Sequence, residues 1–123
     1  MIRIVGVQKS DQLGQEFMLL QNQGSMRVGL KGHVVMANEV LTANAGSAAM
    51  HVFLDDVDVM PGQYILLRSC PGSARWAMTK EGQRVHYSYM DRLNPVWDRF
   101  EGPFHVLAPQ HTYCDKFSEA ILV

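Results

Sequence analysis

Residues 61–68 read Pro61-Gly62-Gln63-Tyr64-Ile65-Leu66-Leu67-Arg68. Pro-Gly is a strong turn signal, because proline presets φ and glycine accepts the positive φ that follows. It launches a short run of aromatic and aliphatic residues, which a second Pro-Gly pair, Pro71-Gly72, closes off. A short apolar run between turn signals reads as a β-strand.

The same pattern extends in both directions. Toward the N-terminus, Asp56-Val57-Asp58-Val59 alternates strictly, which predicts one wet face and one buried face. Before it come His51-Val52-Phe53-Leu54, a pair of short strands at Val28–Leu30 and Val34–Met36 joined at Gly32, a strand over Glu16–Gln21, and an opening strand over Ile2–Val7. Asn22-Gln23-Gly24-Ser25 is turn chemistry. Residues Asn38 to Ala49 are small and polar with little periodicity, and read mostly as loop. Toward the C-terminus, strands are expected at Arg75–Met78, Arg84–Tyr89, Phe104–Leu107 and Ala120–Val123. Only Met90–Leu93 and Val96–Phe100 show helical spacing, and Asn94-Pro95 interrupts it. The reading is all-β, a sandwich or barrel in one domain spanning residues 1–123, with no repeat and no linker.

Composition narrows the function classes. With 47% hydrophobic and 19% charged residues, the chain can bury a core and is not a disordered segment. Its formal charge is −1, and its 11 basic residues are spread along the chain, so electrostatic nucleic-acid binding is not expected. No apolar run approaches the ~20 residues that span a bilayer. The start, Met1-Ile2-Arg3-Ile4-Val5-Gly6-Val7, is too short an apolar stretch for a signal peptide, so the default expectation is a cytoplasmic chain or one whose leader is already removed. Two cysteines, Cys70 and Cys114, do not make a disulfide framework; one bridge or two structural thiols are both open.

Several segments, taken in order, resemble the lamin-tail domain family. They are Gly14-Gln15-Glu16-Phe17-Met18-Leu19-Leu20-Gln21-Asn22-Gln23-Gly24, Val28-Gly29-Leu30-Lys31-Gly32-His33, Met60-Pro61-Gly62 with the apolar strand after it, and Val96-Trp97 before Phe104–Leu107. Where that family carries a core tryptophan, this chain has His33. The resemblance implies an immunoglobulin-like β-sandwich of two antiparallel sheets and a non-catalytic interaction or targeting module. It supplies no catalytic residue and no cofactor.

Residues that could carry chemistry are few. Asp55, Asp56 and Asp58 could offer oxygen ligands to calcium, but they lack the loop spacing that makes such a site specific, and a solvated face is the plainer reading. The five histidines (33, 51, 86, 105 and 111) show no zinc spacing. His33, at a core position, is expected to be a buried neutral imidazole with one hydrogen bond. Cys70 has no signature of a nucleophile around it, and neither Ser69 nor Ser88 sits in an elbow motif.

The strongest compositional signal is a mixture of arginines and aromatics: Arg75, Trp76, Arg84, Tyr87, Tyr89, Arg92, Trp97, Arg99 and Phe100. For the aromatic members taken alone, core packing is the plainer reading; mixed with arginines they have a composition typical of interface anchors. The expected function is therefore that of a non-catalytic module that binds another protein, or a different macromolecule, through this patch. The alternative is a carbohydrate- or ligand-binding β-sandwich, perhaps assisted by calcium. A third option is self-association through an unguarded sheet edge at Ala120–Val123.

Overall fold

The structure, a computed structural model, describes residues 1–42 and 46–110. Ten strands lie among these described residues: β1 (Ile2–Gln8), β2 (Phe17–Asn22), β3 (Val28–Gly29), β4 (Val34–Ala37), β5 (Met50–Val52), β6 (Asp58–Val59), β7 (Tyr64–Arg68), β8 (Arg75–Met78), β9 (Arg84–Tyr89) and β10 (Phe104–Leu107). The strand expected at Ala120–Val123, and with it Cys114 and His111, lies outside the described residues. The protein is all-β, as its turn-punctuated sequence indicates. The stretch over 38–49 is less plain than expected, since Glu39–Thr42 forms one α-helical turn (α1) and Gly46–Ala49 a 3-10 turn. No helix among the described residues is long and apolar enough to cross a membrane.

The strands form three sheets. Five strands pair in the order β1-β2-β7-β9-β8, three in the order β10-β4-β5, and β3 pairs with β6. Two antiparallel sheets were the expectation, and the five-stranded sheet corrects it: β7 and β9 run parallel. A parallel pair needs a crossover, and here β8 supplies it in place of a helix. The chain passes from β7 to the far edge, forms β8, and returns through a hairpin, so that β9 fits between them. That hairpin turns at Gly82 (φ +83°), with Gly82 N–H donating to Thr79 O.

Both larger sheets contribute to one core. Ile2, Met18, Leu20, Ile65 and Leu67 come from the five-stranded sheet; Val35 comes from the three-stranded sheet, and Leu30, Phe53, Val59, Met90, Val96 and Trp97 complete it. The Trp97 ring meets Phe104 of β10 edge-on at 5.6 Å. A smaller cluster joins Ala37, Ala49 and Phe100.

Two buried polar side chains explain the Gly14–Gly24 stretch. Glu16, with no exposed surface, accepts hydrogen bonds from the backbone N–H groups of Val96 (2.7 Å), Trp97 (3.0 Å) and Asp98 (2.9 Å), and from the Ser69 hydroxyl. A carboxylate has acceptor sites for all four donors, and it fixes the loop that presents Trp97 to the core. Asn22, equally buried, accepts from the backbone nitrogens of Met1 and Gly24 and donates to the carbonyls of Met26 and Val59. Its side-chain amide is thus saturated, which ties β2 to the turn after it and to β6.

His33 takes the place expected for it. It is 2% exposed, with Nδ1 3.0 Å from Leu30 O.

Candidate functional site

Cross-strand register sorts the side chains of the five-stranded sheet into two faces. Met18, Leu20, Ile65 and Leu67 point into the core, and His86 and Ser88 of β9 lie in register with Ile65 and Leu67 on that side. Leu19 of β2, Leu66 of β7, Tyr87 of β9 and Arg75 of β8 stand side by side on the opposite, outward face. Phe17, Arg68 and Tyr89 form the next row, and Gln21, Tyr64, Val85 and Ala77 the row beyond.

The outward face is apolar where a solvated face would be polar. Phe17-Met18-Leu19-Leu20 and Tyr64-Ile65-Leu66-Leu67 do not alternate, and so send apolar residues to both sides. Strands of that kind belong to sheets covered on both faces. Here Leu19, Tyr64, Leu66, Val85 and Tyr87 line a groove of about 540 Å³, with the β8–β9 hairpin (Thr79 to Gln83) as its lip. Among the described residues, only that hairpin overhangs it.

The arginine and aromatic residues singled out from sequence do not form one patch. Arg75, Tyr87 and Tyr89 do come together on the outward face: the Arg75 guanidinium lies 4.6 Å over the Tyr87 ring and donates to the Tyr89 hydroxyl at 3.0 Å. The Tyr89 ring is pinned by the loop before β8. A Cβ on Gly72 would sit 2.3 Å from its Cε1, so only glycine fits there. Trp76 and Arg84 occupy the other side of β8 and β9, with Arg84 stacked 4.8 Å over Trp76. Arg92 is half-buried and donates to Met50 O. Trp97 and Phe100 are corrected outright: both are buried, one in each cluster, and present no contact surface. Arg99 stays exposed beside Phe100, its guanidinium 5.2 Å from the ring. Sequence reasoning missed Leu19, Tyr64 and Leu66, although the failed alternation of their strands was the available signal.

A second cleft, of about 560 Å³, lies at the other end of β9 and includes His51, Leu54, Asp55, Trp76, His86 and Asp91. Asp55 organises it. Its carboxylate accepts from His86 Nε2 at 2.9 Å and from the Ser88 hydroxyl at 3.0 Å. Ser88 thus gives its proton to the carboxylate rather than to the imidazole. The catalytic arrangement that activates a serine requires the imidazole between the two, so this trio is not a nucleophile set. It instead fastens the 53–57 segment over the polar end of the core. Asp56 and Asp58 are exposed, Asp58 facing Arg27 at 3.8 Å. Among the described residues, no group of three or more His, Cys, Asp or Glu is placed to hold a metal ion. Cys70 is half-buried and outside both clefts.

The titratable groups make stability pH-dependent. Burial lowers the pKa of His33 from 6.5, partly opposed by its bond to Leu30 O; burial likewise lowers that of His51, opposed by Asp55. Burial would raise the pKa of Asp55, but the hydrogen bonds from His86 and Ser88 outweigh it and hold the carboxyl below 3.8. A base with a depressed folded pKa binds fewer protons folded than unfolded, so its stabilising contribution is present above 6.5 and falls as pH drops through that value. The Asp55 contribution is lost only below 3.8. Urea midpoints are therefore expected to decline from pH 7 to pH 5. In a His33→Gln, His51→Gln double variant that slope should flatten; an unchanged slope would assign the effect to other groups.

Compared with protein-family models, with curated proteins and with solved structures, the chain matches none.

Proposed function

We propose that this chain is a non-catalytic interaction module, an immunoglobulin-like sandwich of the lamin-tail kind, which binds a protein partner through the outward face of its five-stranded sheet. The observation that carries this reading is the row Leu19–Leu66–Tyr87–Arg75. It is an apolar strip with a cation at its end, on a face that the described residues leave open. Burying apolar side chains contributes roughly 25 cal/mol per Å², and an aromatic and arginine anchor beside them is typical of energetically dominant contacts. The Glu16 network and the Gly14–Gly24 and Val96-Trp97 segments support the lamin-tail likeness, since the residues of that resemblance turn out to be structurally linked.

Paired affinity capture tests the reading. Leu66 is half-exposed and outward, so Leu66→Lys should fold as the wild type does by circular dichroism while losing a partner that the wild type retains reproducibly. A partner held equally by both proteins would move the binding surface elsewhere.

A second reading, small-ligand binding, is favoured by the cleft beside Trp76. His86 Nδ1 and His51 Nε2 are buried there without a hydrogen-bond partner among the described residues. Calcium assistance is a weaker form of it, because the carboxylate of Asp55 is already engaged by His86 and Ser88.

A further inference from the structure

Taking the interaction-module reading as its basis, we infer that the partner is an acidic peptide segment: an extended strand with apolar side chains seated in the Leu19–Leu66 groove and carboxylates at its rim. The evidence is the charge on the sheet face outside the groove, whose own lining holds one cation and one carboxylate, Lys80 and Glu81. Arg3 of β1 lies in register with Gln21 on the outward face, Arg68 with Phe17 and Tyr89, and Arg75 with Tyr87, while Lys80 stands on the hairpin lip. Glu81 is the carboxylate set against them at that lip. Among the described residues the carboxylate contacts of basic side chains are Arg27–Asp58 and the His86–Asp55 hydrogen bond, so none of these four cations meets a carboxylate there. In a chain of net charge −1, this is a local excess of positive charge.

Two of the cations are also held in place. The Arg68 guanidinium donates to Gly14 O, and that of Arg75 is fixed by the Tyr87 ring and the Tyr89 hydroxyl. A guanidinium has five N–H donors, so each keeps several free for a carboxylate, with little side-chain freedom left to lose on binding. An extended peptide suits both features, because its side chains alternate between the groove and the rim. Nucleic acid suits them less: Tyr64 and Tyr87 are set among Leu19, Leu66 and Val85, and Glu81 stands at the lip, whereas single strands bind by stacking bases along a continuous basic channel.

The test is selection from a random peptide display library on the intact protein, with Leu66→Lys and the charge-reversed pair Arg75→Glu, Lys80→Glu as counter-targets. Both sets of substitutions are at half-exposed or exposed positions, and folding is checked by circular dichroism. Enriched sequences should combine Asp or Glu with alternating apolar residues. They should bind about tenfold or more weakly to the charge-reversed protein and weaken with added salt. Enrichment of neutral or basic sequences that still depend on Leu66 would overturn the acidic-peptide inference and leave the interaction face standing. Enrichment that ignores Leu66, or none, would overturn both. Tighter binding of an oligothymidine than of any selected peptide, or a concentration-dependent dimer that Leu66→Lys dissolves, would replace the peptide by nucleic acid or by a second copy.

Discussion

Glu16→Ala is expected to cost the fold about 4 kcal/mol, because each buried donor left without an acceptor costs roughly 1–3 kcal/mol. Three backbone N–H groups, those of Val96, Trp97 and Asp98, and the Ser69 hydroxyl would lose their common acceptor at once. Water entering the vacated space recovers part of that loss, which keeps the figure below the full sum. For a domain stable by about 5–15 kcal/mol, the change takes away a large fraction of the whole. Glu16→Gln keeps the volume but turns an amide donor toward backbone donors, so it too should be strongly destabilising. Urea unfolding with the slope held in common reads the difference, and a loss under about 1 kcal/mol would mean that the loop is held by other contacts.

Trp97→Ala should be comparably severe, about 3–5 kcal/mol, as is usual when a large buried aromatic is truncated. Trp97 has no exposed surface and packs edge-on against Phe104, between the loop fixed by Glu16 and β10 of the three-stranded sheet. The contrast with its neighbours in composition is the informative part. Arg75→Ala, on the exposed edge strand, should change stability by no more than about 0.5–1 kcal/mol. Because Glu16 holds the backbone of Trp97 itself, the two large effects are not expected to add; the double variant should fall short of the sum. Equal losses at Arg75 and Trp97 would contradict the division between core and surface.

The strands were legible because turn chemistry brackets them. Pro61-Gly62, with Gly62 at φ +85°, marks the start of β7 in sequence and in structure alike, and β8, β9 and β10 fall where their residue patterns put them. The parallel pairing of β7 with β9 was not legible, since it depends on where β8 lands rather than on any residue in β7 or β9. One turn of helix at Glu39–Thr42 escaped notice because four residues are too few to show a period. Composition picked out the arginines and aromatics but could not separate faces. Trp76 and Tyr87 are near neighbours on adjacent strands, yet one packs on His86 at 5.0 Å and the other looks outward. Asp55, His86 and Ser88 join across more than thirty positions of sequence, a distance at which no local motif forms.

The outward face of the five-stranded sheet carries the functional reading, so its openness in the isolated protein is the quantity to measure. Methyl NMR in the presence of a soluble paramagnetic agent reports it residue by residue. The methyl signals of Leu19 and Leu66 should broaden far more strongly than those of Leu20 and Leu67, which are buried on the core side of the same strands. Equal protection of all four leucines would show the face already covered, and the interaction surface proposed for it would not exist.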